Sequence, residues 1–192
     1  FGGSVYRHDE QHLHGGAFET GATFRNRELE GRAEAAFRPL QTPLGTLSST
    51  FGVQFGAQSL GTSGEAGGLI APADTRTVAA FLFNELALTG TTRLQGAARI
   101  EHARIGGTAS LFPAGLDPAG GAPAEFAAVR SFTPASASLG ILQDLPGGWV
   151  ANLTGQYVER APRAQELYSK GPHEAPGTFE IGNPNLAKER AQ

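Results

Sequence analysis

Residues 149–186 read WVANLTGQYVERAPRAQELYSKGPHEAPGTFEIGNPNL, and the fold turns on how this stretch begins. Ala151, Leu153, Gly155 and Tyr157 alternate with Asn152, Thr154 and Gln156, the period of two that belongs to a β-strand. No turn signal separates this strand from the long polar loop that follows, which carries Arg160, Pro162, Glu166, His173, Pro176 and Pro184.

Working outward, the same alternation recurs. Over 25–38, Leu29, Gly31, Ala33, Ala35 and Phe37 line one face and Glu28, Glu30, Arg32 and Glu34 the other. Over 46–59, Leu47, Phe51, Val53, Phe55 and Ala57 oppose Ser48, Thr50, Gln54 and Gln58. Strands follow over 75–89, 92–105 and 131–144, and residues 1–7 read as the end of a strand already under way. In 75–89 the apolar set is Val78, Ala80, Leu82, Leu86 and Leu88, which turns Phe81, Phe83 and Glu85 to the opposite face. The polar stretch 8–16, HDEQHLHGG, reads as a loop closed by two glycines. Further long loops are expected over 60–74 and 106–130, and short turns at 39–45, around Gly90 and at 145–148. Long and short connections therefore alternate, which in an up-and-down meander sends every short turn to one side. About seven strands result, or eight if 185–192 begins another.

Composition narrows the class. Among 192 residues there is no Cys, so disulfides and thiolate metal sites are excluded. The longest apolar run, 78–83, falls far short of the ~20 residues a spanning helix needs. Spanning by strands stays open, because barrel strands alternate and keep mean hydropathy low. The net charge of −3 and scattered basic residues argue against nucleic acid. No charged segment followed by an apolar one marks a signal peptide. No Gly-x-Ser-x-Gly elbow occurs, and no Ser, His and acid are brought together by the inferred strands, so no enzyme is expected.

The segment ERAPRAQELYSKGPHEAPGTFEIGNPNL resembles the late-barrel segment of TonB-dependent outer-membrane receptors. The resemblance implies an all-β chain, an antiparallel up-and-down transmembrane β-barrel segment that forms an open sheet when isolated. It implies that residues 1–192 are part of a barrel of about 22 strands around a plug, with the plug and the C-terminal closing strands lying elsewhere. It further implies import of a scarce metal or metal complex across the bacterial outer membrane with TonB energy. Outer-membrane lipid, the TonB complex (through the plug) and the cargo would be the partners. A passive porin-type channel or an all-β surface binding domain would share the alternation. The mixed Arg, Glu, Gln and Asn of the inner face do not make the one-sided charge rows of a solute filter.

One cluster carries chemistry. His8, Asp9, Glu10, His12 and His14 fall within seven residues, and on an extended backbone positions i and i+2 share a face roughly 6.5–7 Å apart. His12 and His14 are expected to reach one metal, with Glu10 or His8 as a third ligand. His173 and Glu174, in the other long loop, are expected to contact substrate on the same side of the membrane. No permanently bound cofactor is expected. The transported cargo would be zinc, an iron-siderophore or haem, with zinc favoured by the carboxylates among the histidines.

Overall fold

The computed structural model describes residues 1–110, 124–173 and 176–191. In chain order the elements are β1 (Gly2–His14), β2 (Ala17–Ala36), β3 (Leu40–Thr42), β4 (Gly45–Gly64), α1 (Ala66–Leu69), β5 (Ala73–Ala87), β6 (Thr92–Ser110), β7 (Glu125–Phe132), β8 (Ala135–Asp144), β9 (Val150–Arg160), α2 (Ala164–Tyr168), β10 (Lys170–His173), β11 (Thr178–Ile181) and β12 (Glu189–Ala191). The main sheet runs β1-β2-β4-β5-β6-β8-β9-β12, with β3 on β4 and β7 on β6, and every pairing is antiparallel. β1 and β12 stand at opposite ends of this path, so the sheet is open.

The expected face assignment holds across the sheet. Leu29, Gly31, Ala33 and Ala35 stand opposite Ala57, Phe55, Val53 and Phe51, which in turn face Arg76, Val78, Ala80 and Leu82. Glu28, Arg32 and Glu34 align with Gln58, Gln54 and Gly52 on the other face. There the Arg32 guanidinium lies 4.3 Å from the centre of the Phe81 ring, and a Cβ on Gly52 would stand 2.0 Å from that ring. Only glycine leaves the aromatic ring room. This inner face is the one over which α1, α2 and the β10–β11 hairpin fold.

The outer face carries an uncharged band. On β5 it runs from Val78 to Leu86, about 27 Å along the strand at ~3.4 Å per residue. Tilting the strands by ~35–45° reduces this to on the order of 21 Å, close to a barrel's apolar belt. Val53, Phe55, Leu139 and Leu153 are among its exposed side chains, and Trp149 (74% exposed) sits at its short-turn border. An exposed apolar surface of this extent needs an apolar neighbour, and hydrocarbon fits its width.

Three expectations require correction. Residues 8–14 are not a loop: β1 continues through them to a tight hairpin at Gly15 and Gly16. The stretch is polar on both faces because it rises beyond the uncharged band, so its alternation carries no hydropathy signal. The loops expected over 60–74 and 106–130 are shorter than their composition suggests, since β4 runs to Gly64 and β6 to Ser110, and β7 begins at Glu125. Residues 111–123 of the second loop lie outside the described residues. The single strand expected over 131–144 is broken at Pro134, which has no N–H to give to β6; its carbonyl instead accepts from the Glu101 N–H at 3.0 Å. The eighth strand expected near the end is β12.

Candidate functional site: a histidine pocket under the long loop

The main buried cluster lies beyond the band, where the loop after β9 packs on the inner face. Leu60, Ile70, Ile105, Phe132, Leu167 and Tyr168 form its centre. Tyr168 is 1% exposed. Its hydroxyl donates to the Ile105 carbonyl at 3.0 Å, and its ring occupies the space a side chain at Gly107 would need.

The motif residues of this loop act as its fastenings. Arg160 at the end of β9 donates to both carboxylate oxygens of Glu166, at 2.8 and 2.9 Å. Glu166 also accepts from the Arg163 N–H at 2.6 Å, which caps α2. These hydrogen bonds, the Arg160 pair first, hold the Glu166 carboxyl down at about 2. The turn after β11 is stitched back by Gly182 N–H to Ser169 O at 2.6 Å and Asn183 N–H to Glu166 O at 2.9 Å. A Cβ on Gly182 would meet the Leu167–Tyr168 backbone at 2.7 Å, and one on Gly171 would meet the Gly68 carbonyl oxygen at 2.2 Å. The hairpin is thus seated against α1 by direct backbone approach.

This seating carries His173 to β1. Its Nε2 lies 3.3 Å from Glu10 Oε1, and the same oxygen lies 3.5 Å from His8 Nε2. The other ring nitrogen of His173 contacts Glu180 Oε1 at 2.8 Å. The hydrogen bond to Glu180, with the charges of Glu180 and Glu10, raises the His173 pKa above its ordinary 6.5 despite partial desolvation. Rings follow one another along the pocket: Tyr6 stacks on His8 at 6.4 Å and 7°, His8 lies 6.2 Å from Phe24, and Phe24 lies 6.3 Å from His173. The cavity has a volume of about 460 Å³ and an apolar floor that includes Leu60, Leu69 and Ile70. A second inner-face cavity of about 960 Å³ lies beneath α2, lined in part by Glu28, Thr77, Glu101 and Arg160.

The expected residues are therefore divided. His8 and Glu10 of β1 line one pocket with His173, and His12 and His14 lie further along β1. His12 Nε2 instead contacts Glu65 Oε2 at 2.7 Å, just before α1. His14 sits at the hairpin end of β1, paired with Ala17. The register shift between Glu10 and Gln11, which leaves Gly21 of β2 without a partner on β1, and the contact of His12 with Glu65 set His12 apart from His8 and Glu10. Glu174 lies outside the described residues. Tyr6, Phe24 and Glu180 were missed, because only strand register and the loop's return path bring them to His173. Among the described residues, no three His, Asp or Glu side chains are already arranged as a metal-holding group. The His173–Glu180 hydrogen bond and the contacts of Glu10 with His173 and His8 are pairings that a metal would have to open.

An antiparallel meander with an uncharged outer belt, a polar inner face and loops folded over that inner face defines the wall of a transmembrane β-barrel. The chain belongs to the TonB-dependent receptor family: it matches the TonB dependent receptor-like β-barrel domain over residues 2–192. Its fold is similar to that of the Serratia marcescens hemophore receptor HasR, solved as a double mutant in complex with its hemophore HasA and heme. The TM-score is 0.66 at 17% identity, covering 90% of this chain and 30% of that one. The chain thus spans 30% of the length of that receptor.

Proposed function

We propose that this chain is wall and capture loop of a bacterial outer-membrane transporter that binds a metal-bearing cargo at the cell surface and imports it with TonB energy. Membership of the receptor family supports active transport over passive diffusion or catalysis. The observation that carries the cargo reading is the meeting of His173 with Glu10 and His8 in one open pocket, made by a loop otherwise spent on fastening. Neutral imidazole and carboxylate are the donors that zinc takes. The run of rings from Tyr6 to His173 supports a second cargo, haem, which offers a flat face to aromatic walls and needs a single axial histidine. HasR, the structural relative, was solved with heme bound.

The test is equilibrium binding of Zn²⁺ and of haem to the full-length protein and to its His173→Ala and His8→Ala variants. A zinc receptor loses zinc affinity at least tenfold in both variants, because the two rings act as one chelating unit. A haem receptor loses its low-spin haem spectrum in His173→Ala and keeps zinc unchanged. If both variants bind both cargoes as the parent does, the pocket is not the capture site.

A further inference from the structure

We propose that Ser169 and Gln165 are specificity-determining residues of the histidine pocket, donating hydrogen bonds to carboxylate or carbonyl oxygens on the organic part of a metal complex. Both residues line the same cavity as His173. They stand four residues apart, Gln165 within α2 and Ser169 as its C-cap, joined by the Ser169 N–H donating to the Gln165 carbonyl at 3.1 Å. Side chains so spaced share one face of a helix.

The Ser169 hydroxyl is what points to a ligand. The residue is 6% exposed, and its Oγ is buried without a hydrogen-bond partner among the described residues. A buried hydroxyl left unpaired weakens the fold that holds it, and the cavity beside it is where a partner from outside the chain enters. The backbone of Ser169 is already committed, since its carbonyl accepts from the Gly182 N–H at 2.6 Å. Its neighbours Tyr168 and Lys170 are buried too, Lys170 in an ion pair with Glu125. The hydroxyl is therefore held on a fixed backbone, and a ligand that uses it orders little in binding.

The neighbouring polar groups are spent elsewhere. Asn26 and Gln58 bond each other at 2.9 Å, and both donate to Glu28. Glu10 and Glu180 are paired with histidine. Gln165, like Ser169, makes no side-chain hydrogen bond among the described residues. Imidazole and carboxylate are metal ligands, whereas a hydroxyl and a carboxamide N–H seek an acceptor oxygen. Size agrees with this division. The cavity of about 460 Å³ is many times the ~30 Å³ share of one water and falls in the range that holds a whole organic ligand. A bare ion leaves Leu60, Leu69 and Ile70 uncovered, and an organic body covers them.

This inference rests on the His173 pocket being the capture site. Detergent-purified full-length protein is titrated with haem, with an iron porphyrin whose carboxylate side chains are replaced by ethyl groups, and with Zn²⁺. The parent is expected to prefer haem over the ethyl porphyrin by about tenfold, the worth of one or two hydrogen bonds. Ser169→Ala should lose most of that preference and Gln165→Ala part of it, with affinity for the ethyl porphyrin and Zn²⁺ unchanged. Because Ser169→Ala breaks no hydrogen bond of the chain itself, hydrogen exchange over 164–182 should be no faster than in the parent. Equal binding of the two porphyrins by the parent, or binding of neither, would overturn the proposal. So would an undiminished preference in Ser169→Ala, or faster exchange there with the same loss for all three probes, which is the mark of a structural role. His173→Ala measured alongside separates the two readings: unchanged haem and zinc binding in that variant fails the capture site, whereas its loss with full preference kept in Ser169→Ala fails this inference alone.

Discussion

Tyr168 offers the sharpest test of how the capture loop is held. Replacing it with Ala removes a ring that is 1% exposed and packs on Gly107, and also a hydroxyl bonded to the Ile105 carbonyl. Truncating a buried aromatic costs about 3–5 kcal/mol, and a neutral hydrogen bond contributes about 1 kcal/mol of that order. Because the loss falls on one loop, it lowers the free energy of opening that loop rather than of unfolding the sheet. About 3 kcal/mol corresponds to a factor on the order of 100 in the open population. Hydrogen exchange of peptides covering 164–182 should therefore quicken by about two orders of magnitude in Tyr168→Ala. Tyr168→Phe, which keeps the ring, should quicken it only about fivefold. Exchange in β4 and β5 should not change. Cargo affinity should fall in parallel, because His173 reaches Glu10 only while the loop is seated. Unaltered exchange over 164–182 in Tyr168→Ala would refute this account of the fastening.

Three further outcomes follow from the same structure. Ala80→Arg, in mid-band on the outer face, should cost the full-length barrel about 2–4 kcal/mol in bilayer folding titrations, while Thr77→Arg, turned to the inner cavity, should cost far less. A native pKa of about 2 for Glu166 lies below the ordinary carboxyl value, so the stabilisation from its pair with Arg160 is present above about pH 4.5 and lost as pH falls towards 2; exchange over 164–182 should rise across that window, and Glu166→Gln should abolish the rise. His173 is raised above 6.5 by Glu180 and Glu10, so its paired, protonated form steadies the hairpin at low pH and weakens it as pH rises through the native value, whereas zinc affinity, which needs the neutral ring, should increase over the same interval.

Much of the sheet was legible because hydrocarbon on one side and polar contents on the other force a period of two. That signal located β2, β4, β6, β8 and β9 and oriented Glu28, Arg32 and Phe81 correctly. It failed where its cause is absent. β1 beyond Arg7 is polar on both faces, so HDEQHLH read as a loop although it continues the strand. The site was half legible for a related reason. His8, Glu10 and His173 were visible as ligand types, but their meeting depends on the Arg160–Glu166 pair, the burial of Tyr168 and the close approach of Gly171 to Gly68. Those are tertiary facts with no local pattern. The spacing of His12 and His14 was equally clear, but spacing cannot foresee the contact of His12 with Glu65.

The central claim is that cargo metal is captured at His173. Its most direct measurement is anomalous scattering at the zinc and iron edges from crystals of the full-length protein soaked with Zn²⁺ or with haem. The expected result is a metal peak about 2.0–2.2 Å from a ring nitrogen of His173, with the Glu10 or Glu180 contact opened to admit it. A metal peak elsewhere, with His173 still paired to both carboxylates, would contradict the account.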